Sequence, residues 1–123
     1  MKPRIRVSFA LVLSLAASSA WAHHSFAPFD LTKRVMLTGT LTKVDWRNPH
    51  IQISIEVKGD QGQTASWSME SDAPGNLKER GINKDRFQKA VGQILTVQAS
   101  LARDGSRHGH MFKITFPDGT TAP

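Results

Sequence analysis

Between residues 35 and 116, apolar side chains recur at every second position in five separate runs. A period of two belongs to a strand with one face on a core and the other in water. The clearest run has Ile51, Ile53, Ile55 and Val57 inward, with Gln52, Ser54 and Glu56 outward. Before it, Val35, Leu37, Gly39 and Leu41 share a face opposite Thr38, Thr40 and Thr42. The phase then slips by one residue and resumes at Val44 and Trp46, which predicts a bulge or a sharp bend in a long first strand. Ala65, Trp67 and Met69 alternate with Ser66, Ser68 and Glu70 in a third strand. Leu95, Val97, Ala99 and Leu101 mark a fourth strand over 93–102, and Phe112, Ile114 and Phe116 a fifth.

The breaks between the runs carry turn chemistry: Asn48-Pro49, the stretch from Lys58 to Gly62, Asp104-Gly105 and Pro117-Asp118-Gly119. Residues 71–92 lose the alternation. Pro74 can open a short helix there and Gly81 can end it, while Asn83 can cap a further turn carrying Phe87 and Ala90. Three strands, a helical insert and two more strands are the order of a small five-stranded OB-like barrel, mainly β, with one short helix between strands three and four. An antiparallel meander with a helix packed on one side is the alternative. The barrel is expected over 34–117, and 118–123 is expected to be a loose tail.

The N-terminus obeys other rules. Lys2, Arg4 and Arg6 precede an almost wholly apolar run from Val7 to Ala17, and Ala20-Trp21-Ala22 closes it. This is the three-part layout of a signal peptide over 1–22, and the apolar run is shorter than the roughly 20 residues a permanent span requires. The chain is therefore expected to be exported to the periplasm, to be soluble after cleavage, and to keep no membrane span. It has no cysteine, so its core alone must hold the exported domain. The formal charge of +6 falls to +3 when Lys2, Arg4 and Arg6 leave with the signal. A mildly basic exported surface does not suggest nucleic acid as a partner.

Cleavage after Ala22 leaves His23 first, at the head of an irregular arm over 23–33. A terminal histidine offers its amine and its ring Nδ1 to one metal ion. With a second imidazole opposite, the nitrogens suit Cu(II), as in the histidine brace of several exported copper proteins. His50 lies in the connection between strands one and two; His108 and His110 lie in the connection between strands four and five. Those loops flank the ligand face of an OB barrel. His24, adjacent in the chain, is the poorer partner. An arm of about ten residues reaches roughly 33 Å, enough to bring His23 to either loop. Cleavage one residue earlier would put a histidine third, where backbone amides bind Cu(II) without any fold. The competing readings are plain: a frayed terminus for His23 and His24, a backbone-bonded turn residue for His50, a solvated hairpin tip for His108 and His110, and, for His110 alone, a half-buried strand position in phase with Phe112 and Ile114.

Other constellations are thinner. Trp46, Arg47, Asn48 and Arg107 could contact a small molecule, a glycan or a protein partner without any metal. Trp67 is in phase with core residues. Glu70 and Asp72 share a side of their strand, but a carboxylate pair needs a cleft and divided pKa values to do acid–base work. No catalytic motif is present, so an enzyme is not expected.

The segments AHHSFAPFD, LTGTLTKVDWRNPH, WSMES, APGNLKERG and DGSRHGH together resemble a bacterial family of small exported proteins, domain of unknown function 6152. The Trp46-Arg47-Asn48-Pro49-His50 element is the most specific part of the likeness. The resemblance implies export and a small β-rich domain, and no activity. The expectation is thus a periplasmic binding protein, with copper at a terminal-histidine site as the specific ligand and a metal-free binding module as the alternative.

Overall fold

The computed structural model describes residues 26–122. The expected signal peptide, His23 and His24 lie outside the described residues. The elements are β1 (Val35–Asp45), β2 (Gln52–Lys58), β3 (Thr64–Glu70), α1 (Pro74–Glu79), α2 (Lys84–Lys89), β4 (Ile94–Leu101), β5 (His108–Thr115) and β6 (Thr121–Ala122). The sheet runs β3-β2-β1-β4-β5-β6, and β3 also pairs with β5, so the first five strands close into a barrel. All pairings are antiparallel except that closing seam, where β3 and β5 run parallel.

Strand β1 serves two neighbours because it bends. Its first half pairs with β4 from Val35↔Ala99 to Thr40↔Ile94, and its second half with β2 from Thr40↔Glu56 to Asp45↔Gln52. The register shifts between Leu41 and Lys43, where the alternation slips in the sequence. Gly39 stands at the crossover: a Cβ there would lie 2.5 Å from the Glu56 carbonyl oxygen, so only glycine allows the strands to approach this closely. The core holds Leu41, Ile53, Ile55, Met69, Leu95, Val97, Ala99 and Ile114 from the strands, Ile51 from the residue ahead of β2, and Leu77, Ile82 and Phe87 from the insert. Trp46 packs against this core, its ring 5.4 Å from that of Phe87.

Four expectations change. The insert forms two six-residue helices rather than one, because Gly81 stops α1 at positive φ and the Asn83 side chain then accepts the Arg86 N–H to start α2. The tail is not loose. Thr121 and Ala122 pair with Thr115 and Ile114, and Ala122 is buried. His108 and His110 are not in a loop, since β5 begins at His108 in order to reach β3. Phe112 does not join the core. The β4–β5 register shifts between Gln98 and Ala99, leaving Phe112 as the extra residue, and Met111 takes the inward position. Phe112 lies instead beneath the Arg34 guanidinium, 3.6 Å from its ring centre.

Among the described residues, no helix is long and apolar enough to cross a membrane.

Candidate functional site

The closing seam pairs Ser68 with His108, Met69 with Gly109, and Glu70 with His110. Met69 and Gly109 face the core at this seam, so Glu70, His108 and His110 meet on the other side of the wall. Glu70 lies between the two rings. Its Oε2 is 3.6 Å from Nε2 of His108, and its Oε1 is 3.8 Å from Nδ1 of His110. Both separations exceed hydrogen-bond length. Both ring nitrogens are buried and have no hydrogen-bond partner among the described residues.

This outer face would be wet if the arm did not cover it. Phe29 forms an antiparallel bridge with Ala102 and is 2 % exposed. The Asp30 N–H donates to the Leu101 carbonyl, and the Arg103 N–H donates to that of Pro28. Arg34 donates to the Leu31 carbonyl and to the Ser100 hydroxyl, which in turn donates to the Lys33 carbonyl. Held this way, the arm lays Phe29 edge-on to His108, with ring centres 5.2 Å apart, and Phe26 edge-on to His110 at 4.7 Å. Phe112 also approaches His110 edge-on at 4.7 Å.

Beside the seam is a cleft of about 470 Å³ lined by Phe26, Asn48, Pro49, His50, Glu70, Asp72, Ala73 and Asn76. The Asn48-Pro49 peptide bond is cis. His50 is half-buried, with Nδ1 2.8 Å from the Ser71 carbonyl oxygen. A carbonyl only accepts, so Nδ1 carries the hydrogen and Nε2 is the basic nitrogen of the neutral ring. Asp72 is ion-paired with Arg80. The His110 ring beside Glu70 holds the Glu70 carboxyl below its ordinary range. The His50 and His108 rings act in the same direction, and burial opposes them. The result is a carboxylate held toward its ionised form between the His108 and His110 rings, with His50 on the same cleft. No three His, Asp or Glu side chains among the described residues converge as a formed metal site.

Thus His50, His108 and His110 come to one region, as the barrel topology suggested, although two of them arrive on a strand. The other expected contacts disperse. Trp46 is half-buried against Phe87, Arg47 is exposed and ion-paired with Asp45 at 2.8 Å, and Arg107 is exposed, with its backbone carbonyl accepting the Ser68 N–H. Only Asn48 of that group lines the cleft. Three participants are not marked as site residues by the sequence. Glu70 was weighed only against Asp72, and Phe26 and Phe29 sat in a segment without a period. The signal available for Glu70 was its outward phase at the end of β3, opposite the position where a closing strand must pair.

The comparisons agree with this architecture. The profile of a family of unknown function (DUF6152) matches residues 11–112, and the chain belongs to that family. No curated protein matches it in sequence. The crystal structure of the mitochondrial single-stranded DNA-binding protein Rim1 from S. cerevisiae is similar in fold. The match has a TM-score of 0.51 at 13 % identity and covers 69 % of this chain and 93 % of that one. At that identity the likeness speaks for the OB-type barrel and for nothing finer.

Proposed function

We propose that this DUF6152 protein is exported and works in the periplasm as a binding protein, taking its ligand where the arm meets the barrel seam. The specific ligand we infer is Cu(II), held by the amine and ring of His23 after cleavage and by one or more of the His50, His108 and His110 rings. One observation carries this reading: the arm is fastened to the barrel, with Phe26 on His110. Residue 23 is three positions earlier, a reach of about 10 Å at full extension. The His108 and His110 rings and the half-buried Glu70 carboxylate meet at that seam, and His50 lines the cleft beside it. Nitrogen-rich donor sets suit Cu(II). Rim1 is described as a single-stranded DNA-binding protein. Nucleic acid is not favoured here, because the mature charge is only +3 and the cleft is lined by Glu70 and Asp72 rather than by Lys or Arg.

Cu(II) titration tests this on three mature chains: one beginning at His23, one with His23→Ala, and one with a single alanine placed ahead of His23. The expected result is that the first chain binds one ion markedly more tightly than the other two. Equal affinity in all three would contradict the terminal-histidine site, and no binding by any of them would favour the metal-free binding module.

A further inference from the structure

Two buried nitrogens that find no hydrogen-bond partner among the described residues, on either side of one carboxylate, need an explanation in their own right. His110 is 4 % exposed. Leaving such a nitrogen unsatisfied is destabilising. The barrel wall brings this cost on itself twice, at adjacent rings, through Nε2 of His108 and Nδ1 of His110. Both face Glu70, at 3.6 and 3.8 Å. An ion held tetrahedrally by a ring nitrogen and a carboxylate oxygen, each at about 2.1 Å, sets those two atoms about 3.4 Å apart. The observed gaps are wider than this by only a few tenths of an ångström. They are too long for hydrogen bonds and close to the size of a shared cation.

We infer that Glu70, His108 and His110 form a cation site built into the barrel seam itself, which takes one borderline divalent ion of the zinc or cobalt class and works without His23. Two nitrogens and one carboxylate oxygen are the donor set such ions prefer. The three donors are not yet converged, because each oxygen of Glu70 faces a different ring. Binding turns one oxygen toward both nitrogens. Glu70 opens on the cleft, so the remaining coordination position is reached from there. The site shares its rings with the copper reading but does not depend on where the chain begins.

The test uses the mature chain with His23→Ala and His24→Ala, so that no terminal chelate can form. Zn(II) is titrated by calorimetry, and Co(II) by its visible absorption. The expected result is one ion per chain, with the intense visible bands of four-coordinate Co(II). Glu70→Gln in that background should weaken binding by about tenfold or more, since loss of even an outer-shell partner has an effect of that size. His108→Gln should do the same, and circular dichroism of both variants reports whether the barrel is intact. A folded parent that binds no ion would overturn the proposal and show that the rings merely direct N–H groups at Glu70. So would folded variants that bind as tightly as the parent. The terminal-histidine reading fails separately, when His23→Ala alone leaves Cu(II) affinity unchanged.

Discussion

Gly109 is the residue on which the seam closes. A Cβ there would lie 2.9 Å from the Met69 sulfur and 3.2 Å from the Ser100 carbonyl oxygen. The sulfur can shift, but the backbone oxygen cannot. Gly109→Ala should therefore lower stability by about 1–3 kcal/mol, measured by urea unfolding. Glu70 makes a prediction of a different kind. Its pKa in the folded chain lies below its ordinary value of 4.5, chiefly through His110. The unfolded chain thus binds this proton more tightly than the folded one. The stabilisation is complete above the unfolded value and is lost as pH falls through the folded value. Glu70→Gln removes that contribution, so its stability should fall less steeply on acidification than that of the wild type. Parallel curves in chemical denaturation from pH 7 into the acid range would contradict this. The residue scale was also the least legible in sequence. That Gly109 is required follows from its pairing with Met69, a neighbour 40 positions away in the chain, and alternation carries no information about which strands pair.

At the scale of elements, alternation read the strands well because each has one wet face and one core face. Ile51, Ile53 and Ile55 are fully buried where the pattern placed them. It failed at β5, where the bulge at Phe112 inverts the phase and makes Met111 the core residue. It also failed at the arm, whose packing comes from two aromatic rings and a few backbone hydrogen bonds rather than from a period. Phe29→Ala should cost about 3–5 kcal/mol, as for other buried phenylalanines. It should also speed hydrogen exchange at the Asp30 and Arg103 amides, which the arm pairing protects, while the β2 amides keep their protection. Uniform loss of protection would mean that the arm is part of the global fold and not a separate layer. In α2 the cap is local. Asn83→Ala should cost about 1 kcal/mol, and Asn83→Asp should largely preserve stability in thermal melts.

For the whole molecule, five strands with a bent β1 and a parallel β3–β5 seam make the OB-type barrel, and closure leaves no long free edge on a chain without disulfides. Strand order was readable because the turns are short and chemically marked. The position of the candidate site was readable only by way of that order, since His50 and the pair His108 and His110 are more than 50 residues apart in the chain. The role of the arm was not readable, because Phe26 and Phe29 acquire meaning only once β5 offers them His108 and His110. The central proposal is that an exported, processed chain carries a metal at this seam. It is tested most directly by native mass spectrometry of the untagged protein taken from the periplasmic fraction after growth with copper and zinc. The expected spectrum is that of a chain beginning at His23 with one ion retained. A processed chain that is metal-free, or an unprocessed chain confined to the cytosolic fraction, would contradict it.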